Sequence, residues 1–293
     1  MKILAIDIGG TLIKYGLVSL NGEVLESSEI STEAEKGIKN LLEKIDFIKN
    51  NYKNELILGI AISGTGQING EIGQVIGGNP IIPGWIGTNL VRLLEEKYSL
   101  PVILENDVNC AALGEKWKGV AKSLKSFICL TIGTGIGGGI ILNNKLFRGE
   151  NFVAGEFGHI QIKKGKYEQY ASTSALVKMV KERIGKNLNG KEIFTLEKEG
   201  FQEYKDVIDE WIDNITDGLS SIIYAFNPSD IVLGGGVTKQ GEHLLNRIKV
   251  SLNKKISPIF KQNLNIHFAE LGNSSGMIGA TYLLLKKINK LEE

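Results

Sequence analysis

Cysteine is scarce in this sequence of 293 residues, which contains only Cys110 and Cys129. Both lie inside apolar runs, where they resemble reduced core thiols rather than the dense disulfide framework of small secreted domains. No apolar run approaches the roughly 20 residues of a membrane-spanning helix. The apolar stretch at the start, MKILAIDIGG, is too short for a secretory signal peptide. These absences predict a cytoplasmic protein without a membrane segment.

An excess of charge of one sign is also lacking. The 34 lysines and arginines balance 33 aspartates and glutamates, for a net charge of +1. Proteins that bind nucleic acids or anionic membranes usually carry a basic patch or stripe, so neither partner is expected. A charged ligand must therefore be held by a local site.

Glycine, in contrast, is abundant and clustered. Of the 36 glycines, many fall in Gly9-Gly10, in Gly133 to Gly139 and in Gly234 to Gly236, each after a short β-branched run. Such runs predict strands, and the glycines predict turns at the strand ends whose backbone amides phosphate groups can approach.

The chain uses one device twice, namely a strand, a glycine-rich turn and a returning strand. Residues 2–8, 13–20 and 24–30 are predicted strands that surround the Gly9-Gly10-Thr11 turn and the Asn21-Gly22 hairpin. In the second half, a strand at 127–132, a turn at Gly133 to Gly139 and a returning strand at 140–142 repeat the pattern.

Helical periodicity separates the strands, so the sequence predicts an α/β protein. No low-complexity linker interrupts it, which favours two closely joined lobes. We expect an N-terminal lobe over 1–118, with the C-terminal helix 276–293 packed on it, and a larger lobe over 119–275.

The first turn has the residues of a phosphate site. Asp7 ends a predicted strand ahead of Gly9, Gly10 and Thr11, so the turn amides could hold a phosphate while Asp7 reaches its Mg²⁺. An ordinary hairpin turn is the alternative. The second turn, with Gly133, Thr134 and Gly135, favours the phosphate site, because a nucleotide cleft built by duplication has two such hairpins.

Two better-known nucleotide motifs are excluded. Gly133, Gly135 and Gly138 match the dinucleotide-binding spacing G-x-G-x-x-G, with Glu156 at about the expected distance of 20 residues. That fingerprint requires the glycines to open a helix, whereas residues 139–142 are β-branched and predict a strand. No glycine cluster is followed by the Gly-Lys-Ser/Thr of a P-loop.

Glu105-Asn106-Asp107 lies where a strand is predicted to give way to a helix, the position at which α/β sheets bind ligands. Phosphoryl transfer to an alcohol needs a base for the hydroxyl proton and a neighbour that fixes the acceptor, roles that suit Asp107 and Asn106. On spacing alone, a cap for the helix ahead of Val108 is the favoured interpretation of Asp107, and the residues described next favour the base.

Further along, Glu156, His159 and Glu168 supply two carboxylates and an imidazole suited to binding sugar hydroxyls. The alternatives are a structural histidine and a solvated surface glutamate. A zinc site at His159 is not expected, because residues 160–167 contain no cysteine, histidine or carboxylate to complete it.

With these residues assembled, the chain resembles the repressor, open-reading-frame and kinase (ROK) family of sugar kinases over nearly its whole length. The resemblance implies an actin-like ATPase (ribonuclease H-like) fold with two lobes around a central nucleotide and sugar cleft, and Asp107 as catalytic base. It further implies ATP and Mg²⁺ as cofactors, with Asp7 near the metal. By the same resemblance, ATP is surrounded by Gly9 to Thr11, Gly133 to Gly135, and Gly234, Gly235 and Gly236; the sugar is held by Gly66, Asn79, Asn106, Glu156, His159 and Glu168.

Two departures from the family pattern have consequences. The family's cysteine-rich zinc loop is shortened here to residues 160–167, so we expect no zinc, with local packing positioning His159. Because a strand is predicted from Lys2 onwards, we expect neither the DNA-binding domain of the family's repressors nor a transcription factor.

Within the family, the sequence looks most like bacterial N-acetylmannosamine kinases, including zinc-less ones, which phosphorylate the 6-hydroxyl in sialic acid breakdown. Glucokinases and β-glucoside kinases share nearly all the motifs and remain alternatives. A non-catalytic sugar sensor is less favoured, since it would need neither Asp7 nor Asp107. The resemblance also suggests a homodimer.

Overall fold

Two compact units make up the chain in the computed structural model, which describes residues 1–78 and 81–291. Unit 1 combines three segments, Met1–Ser123, Leu146–Ala154 and Leu271–Glu293. Unit 2 combines Leu124–Lys145 with Gly155–Glu270. Elements are numbered below in chain order.

Unit 1 is built on a five-stranded sheet. Its strands are β1 (Lys2–Ile8), β2 (Leu12–Val18), β3 (Val24–Ser31), β4 (Ile57–Gly64) and β7 (Val102–Asn106), in the order β3-β2-β1-β4-β7. The first three form antiparallel pairs, whereas β1, β4 and β7 are parallel. A separate hairpin is formed by β5 (Gln67–Asn69) and β6 (Gln74–Gly77), and the helices are α1 (Gly37–Asn51), α2 (Leu90–Tyr98), α3 (Asp107–Lys118) and α10 (Ser275–Lys287).

Both faces of this sheet are covered, because successive side chains of a strand point to opposite sides. Leu4, Ile6 and Ile8 of β1 share one apolar cluster with residues of α1 and α2. Ile3 belongs to a second cluster, which includes Leu284 of α10. The continuous apolar run of β1 is therefore explained by burial on both sides.

Unit 2 repeats the sheet arrangement. The sheet order is β10-β9-β8-β13-β14, with β8 and β9 antiparallel and β8, β13 and β14 parallel. The elements are β8 (Phe127–Ile132), β9 (Ile136–Leu142), β10 (Lys145–Leu146), β11 (Gln161–Ile162), β12 (Gly165–Lys166), β13 (Asp230–Gly234), β14 (Asn265–Phe268), α4 (Glu168–Ala171), α5 (Thr173–Ile184), α6 (Gly190–Lys198), α7 (Gln202–Phe226), α8 (Gly241–Asn253) and α9 (Pro258–Lys261).

The long helix α7 carries much of the core of unit 2. Trp211 is fully buried, packs edge-to-face on Phe194, and donates its indole N–H to the Ser172 carbonyl at 2.9 Å. A buried tryptophan normally satisfies this donor, and here the bond joins α7 to the start of α5.

The mixed α/β class is confirmed, and the strand pattern of the two sheets matches the repeated device seen in the sequence. Several boundaries differ: β2 is Leu12–Val18 instead of 13–20, and the C-terminal helix is Ser275–Lys287 instead of 276–293. The largest error within the repeated pattern concerns the second turn. The predicted turn from Gly133 to Gly139 ends at Gly135, because β9 begins at Ile136 and residues 137–139 pair with β8. Glycine disfavours strands on average, but cross-strand hydrogen bonds hold these three in the ladder. None of the helices in the described part of the chain is long and apolar enough to span a bilayer.

Candidate active site

Asp107 lies at the start of α3, immediately after β7. The residue that caps the helix is its neighbour: Asn106 Oδ1 accepts the N–H groups of Val108 and Asn109 at 2.9 and 3.1 Å. One carboxylate oxygen of Asp107 accepts the Val108 N–H at 2.9 Å and the Asn106 amide at 3.0 Å. Helix capping therefore belongs mainly to Asn106, and Asp107 is the oriented carboxylate beside it.

The Asn106 amide joins two strand ends. Its Nδ2 donates to the Gly66 carbonyl as well as to Asp107, both at 3.0 Å. Gly66 follows β4, the parallel neighbour of β7, so both residues belong to the carboxyl ends of adjacent strands. The φ of Gly66 is +104°, a conformation that favours glycine.

Glu105 forms a second network behind this pair. Its side chain is 1 % exposed, and Oε1 accepts the Asn106 N–H and the Asn109 amide, both at 3.0 Å. Oε2 accepts from Arg148 Nε at 2.7 Å. Sequence reasoning missed Arg148; the only signal was that a glutamate in an apolar strand requires a cationic or hydrogen-bonding partner.

Asp7 lies near the end of β1 and faces β4. Ser63 Oγ, a residue not identified from the sequence, donates to Asp7 Oδ1 at 2.6 Å. The pKa of the Asp7 carboxyl is raised, because burial outweighs the opposing effects of the Ser63 hydrogen bond and the charge of Lys14. A Cβ on Gly276, in the first turn of α10, would lie 3.0 Å from the same oxygen, so α10 approaches Asp7 closely.

This arrangement fits Mg²⁺, which usually keeps several waters and takes one or two carboxylates together with substrate phosphates. Within residues 1–78 and 81–291, no group of three or more histidine, cysteine or acidic side chains is placed to share a metal ion. A hydrated ion brought by the nucleotide is the kind of metal that a single carboxylate such as Asp7 suits.

The adjoining turn is tight. Gly9 N–H bonds to the Leu12 carbonyl at 3.0 Å, and the Gly9 carbonyl accepts the Thr32 hydroxyl at 2.7 Å. Thr11 is exposed, and its carbonyl accepts the Thr32 N–H at 2.9 Å. The turn between β1 and β2 is thus fixed by Thr32, the residue after β3, while Thr11 stays exposed.

The corresponding turn of unit 2 covers Gly133 to Gly135 and lies beside Glu168. A Cβ on Gly135 would approach Glu168 Oε2 to 2.8 Å, and one on Gly158 would approach it to 3.1 Å. Gly133 accepts the N–H of Thr173 at 2.9 Å, which ties the turn to the start of α5. The structure therefore brings two predicted groups together, the second glycine turn and the Glu168 carboxylate.

His159 and Glu156 are accessible neighbours of this carboxylate. They lie on or next to a short 3₁₀ turn, Phe157–His159, with their side chains 54 % and 39 % exposed and 3.9 Å between Nε2 and Oε2. At 3.9 Å, outside ordinary hydrogen-bond range, both side chains can be reached by a polar ligand.

A short hairpin, β11 and β12, connects His159 to Glu168. Its ends are joined by a bond from Tyr167 N–H to the Ile160 carbonyl at 2.8 Å. The Tyr167 hydroxyl donates to the Ile215 carbonyl of α7 at 2.7 Å, and Lys163 donates to Asn214 of the same helix. Because the hairpin is held on α7 in this way, it fixes the backbone positions of His159 and Glu168 at its two ends.

The third glycine cluster follows β13. Gly235 has φ +90°, and a Cβ there would lie 2.3 Å from the Ile132 carbonyl oxygen, so only glycine fits. Its carbonyl accepts the N–H and hydroxyl of Thr238, at 3.2 and 3.0 Å.

The predicted residues fall in both units. Unit 1 contains Asp7, Gly9, Gly10, Thr11, Gly66, Asn106 and Asp107; unit 2 contains Gly133, Thr134, Gly135, Glu156, His159, Glu168, Gly234, Gly235 and Gly236. Asn79, a predicted sugar contact, lies outside the described residues.

Comparison with known proteins gives consistent results. The family model described as "ROK family" matches residues 3–287. A β-glucoside kinase from Listeria innocua is 36 % identical, with all of both chains covered.

Among solved structures, a Listeria monocytogenes protein provisionally assigned as an N-acetylmannosamine kinase is 33 % identical with a TM-score of 0.88, covering 99 % of this chain and 100 % of its own. A ROK family glucokinase from Streptomyces griseus, bound to glucose and AMPPNP, is 30 % identical with a TM-score of 0.84, covering 97 % and 99 %. The actin-like ATPase fold of such neighbours is shared by this chain.

Proposed function

The chain belongs to the ROK family and is an ATP-dependent sugar kinase, and from this premise we propose that it phosphorylates N-acetylmannosamine at the 6-hydroxyl. The observation that carries the proposed chemistry is the Asp107 carboxylate, oriented by Asn106 at the end of β7. The substrate is supported by the resemblance to zinc-less N-acetylmannosamine kinases and by the similar Listeria monocytogenes structure.

We propose that Asp107 accepts the proton of the sugar hydroxyl as its oxygen attacks the γ-phosphorus of ATP. The new O–P bond forms while the bond from the γ-phosphorus to the bridging oxygen breaks, and ADP leaves with that electron pair. Such transfers depend chiefly on positioning and charge stabilisation, so a base held by two hydrogen bonds is well suited to the task.

The remaining predicted residues take binding roles in this proposal. Glu156, His159 and Glu168 accept and donate hydrogen bonds to sugar hydroxyls, and Gly66 and Asn79 are proposed as further sugar contacts. Because both amide hydrogens of Asn106 are engaged, a sugar hydroxyl there would replace the Gly66 carbonyl as its partner.

The nucleotide contacts follow the glycine turns. Gly9, Gly10 and Thr11, together with Gly133, Thr134 and Gly135, are proposed to bind phosphates through backbone amides, and Gly234 to Gly236 to flank the nucleoside. Asp7 would hold the Mg²⁺, which neutralises phosphate charge when bound. The Ser63 hydrogen bond leaves the other oxygen of Asp7 available for that role.

A second substrate class has a specific observation in its favour. The Listeria innocua β-glucoside kinase is similar to this chain along its entire length, at 36 % identity. A β-glucoside or glucose is therefore the alternative acceptor, with the same base and the same nucleotide residues.

We further propose a cytoplasmic homodimer without zinc, in which the anchored β11–β12 hairpin positions His159. Cys110 and Cys129 are both buried and form no disulfide, which supports a reducing compartment. Elemental analysis of purified protein tests the metal; stoichiometric zinc would contradict the proposal, and light scattering tests the dimer.

The experiment that tests the substrate is an ADP-release assay with N-acetylmannosamine, N-acetylglucosamine, glucose, mannose and a β-glucoside. We expect the highest kcat/KM for N-acetylmannosamine. A higher value for glucose or the β-glucoside would replace the substrate but keep the mechanism, whereas ADP release independent of any sugar would reject the kinase mechanism itself.

A further inference from the structure

An ion pair lies directly behind the proposed catalytic base. Arg148 Nε donates to Glu105 Oε2 at 2.7 Å, with the glutamate side chain 1 % and the arginine side chain 24 % exposed. Gly70, between β5 and β6, closes the pair: a Cβ at that position would lie 2.4 Å from Glu105 Oε2 and 3.2 Å from Arg148 Nε. A methyl group at position 70 would therefore fit only if the ion pair shifted.

The structure assigns to Arg148 the role of a positioning residue for phosphoryl transfer, acting on Asp107 through Glu105 and Asn106. This inference rests on the proposed role of Asp107 as base. In this proposal Arg148 contacts neither the sugar nor the nucleotide.

The route consists of three hydrogen-bonded steps. Arg148 fixes one oxygen of Glu105, and the other oxygen accepts the Asn106 backbone N–H at 3.0 Å. Asn106 in turn donates its side-chain amide to Asp107 at 3.0 Å. Rotation of Glu105 would release the Asn106 backbone at the junction of β7 and α3, where the direction of the Asp107 side chain is set.

Stability alone gives a poor account of this network. A buried ion pair seldom stabilises a fold more than apolar residues of the same size would, because both charges must lose their hydration. Asn109 adds a second cost: it is 3 % exposed, donates to Glu105, and within the described chain its Oδ1 has no hydrogen-bond partner. A network that costs stability in this way is better explained by a role in orienting the base.

The first experiment compares Arg148→Met with Arg148→Lys. Methionine keeps the apolar stem and removes the donor and the charge; lysine keeps the charge. We expect Arg148→Met to lower kcat by about 10- to 100-fold, the range expected when a base is displaced by up to about 1 Å. The KM for ATP should change by less than about twofold, because the nucleotide residues are untouched, and Arg148→Lys should restore most of kcat.

Arg92→Met is the matched control, since Arg92 makes an exposed ion pair with Glu96 on α2 of the same unit. It should leave kcat unchanged. Wild-type kcat in a folded Arg148→Met protein would overturn the inference, as would an equal loss in Arg148→Met and Arg148→Lys.

A second experiment has two parts, of which the first, Gly70→Ala, does not depend on the folding of those variants. Gly70→Ala changes no charge, and its φ lies outside the range that favours glycine, but the methyl group would displace the ion pair. We expect the same kcat defect without a change in the KM for ATP. In Arg148→Met with Glu105→Gln, the glutamine carbonyl can still accept the Asn106 N–H, so kcat should recover relative to Arg148→Met alone.

A Gly70→Ala enzyme with wild-type kcat, or a double variant as slow as the single one, would refute the route through Glu105. Asp107→Asn separates this inference from the proposed function. Full activity of Asp107→Asn would reject the base itself, whereas an inactive Asp107→Asn beside a fully active Arg148→Met would reject only the positioning role.

Discussion

Replacing Tyr167 with phenylalanine removes a single hydroxyl from a fully buried side chain. The hydroxyl donates to the Ile215 carbonyl at 2.7 Å, and burial raises the pKa of the phenol, which therefore stays a neutral donor. Ile215 lies within α7, where its carbonyl is also in position for the helical hydrogen bond. The net loss is then that of one neutral hydrogen bond, about 0.5–1.5 kcal/mol.

This loss should appear in two measurements. Calorimetry should show a Tm lower by about 2–4 °C for each kcal/mol lost. Tyr167 also closes the hairpin between His159 and Glu168, so the KM for the sugar should rise, by no more than the roughly 12-fold that 1.5 kcal/mol allows. The KM for ATP should stay the same.

The control is Tyr224→Phe, because Tyr224 also lies on α7 but is 48 % exposed, so water can replace its hydroxyl, which accepts the Ser257 N–H at 3.0 Å. It should leave the KM for the sugar unchanged and lower the Tm less than Tyr167→Phe does. A Tyr167→Phe protein with the Tm and sugar KM of wild type would show that the hairpin is positioned by something other than its bond to α7.

Three further predictions concern carboxylates of unit 1. Asp107→Asn should lower kcat by about 10²- to 10⁴-fold, the usual contribution of a positioned base, while calorimetry still detects sugar binding; kcat within threefold of wild type would remove Asp107 from the mechanism. Asp7→Asn should inactivate the enzyme yet stabilise it at pH 7. Burial raises the folded pKa of Asp7, so the native state binds more protons than the unfolded chain between the two pKa values, and stability falls as pH rises through that window. Urea unfolding should show the gain at pH 7 and its disappearance below about pH 4, near the ordinary pKa of aspartate; an equal gain at both pH values would contradict the burial argument. Glu115 is fully buried and accepts the Val120 and Leu271 N–H groups at 3.0 and 2.8 Å. Glu115→Ala should therefore lower the free energy of unfolding by about 1–3 kcal/mol for each N–H group left without an acceptor. Glu115→Gln keeps one acceptor oxygen and should lower it less. Equal unfolding free energies for the two Glu115 variants would be inconsistent with this reasoning.

Local sequence patterns were sufficient to predict the repeated strand and turn device. Short β-branched runs followed by glycines are a short-range signal, so β1 and β8 begin at their predicted starts, Lys2 and Phe127. The start of β9 was missed because Gly137 has no side-chain preference for a strand, and its place there is set by hydrogen bonds to β8.

The candidate site was predicted residue by residue, but its supporting contacts were not. Asp107 and Asn106 could be identified because they are adjacent and follow a strand. The contact between Arg148 and Glu105 joins residues 43 positions apart, and that between Tyr167 and Ile215 joins residues 48 apart. Such pairs depend on how elements pack, which no local periodicity encodes.

The assembly of unit 1 from three separate stretches of chain has a consequence for biosynthesis. Helix α10 covers Ile3 of β1 through Leu284, yet it leaves the ribosome some 270 residues after that strand. Until then, one apolar face of the first sheet, where Cys110 of α3 also packs, lacks the cover that α10 provides, and a nascent chain with a finished β1 to β7 must wait for that helix. Ribosome stalling ahead of Ser275 should therefore yield protease-sensitive, chaperone-dependent intermediates rather than a folded first unit.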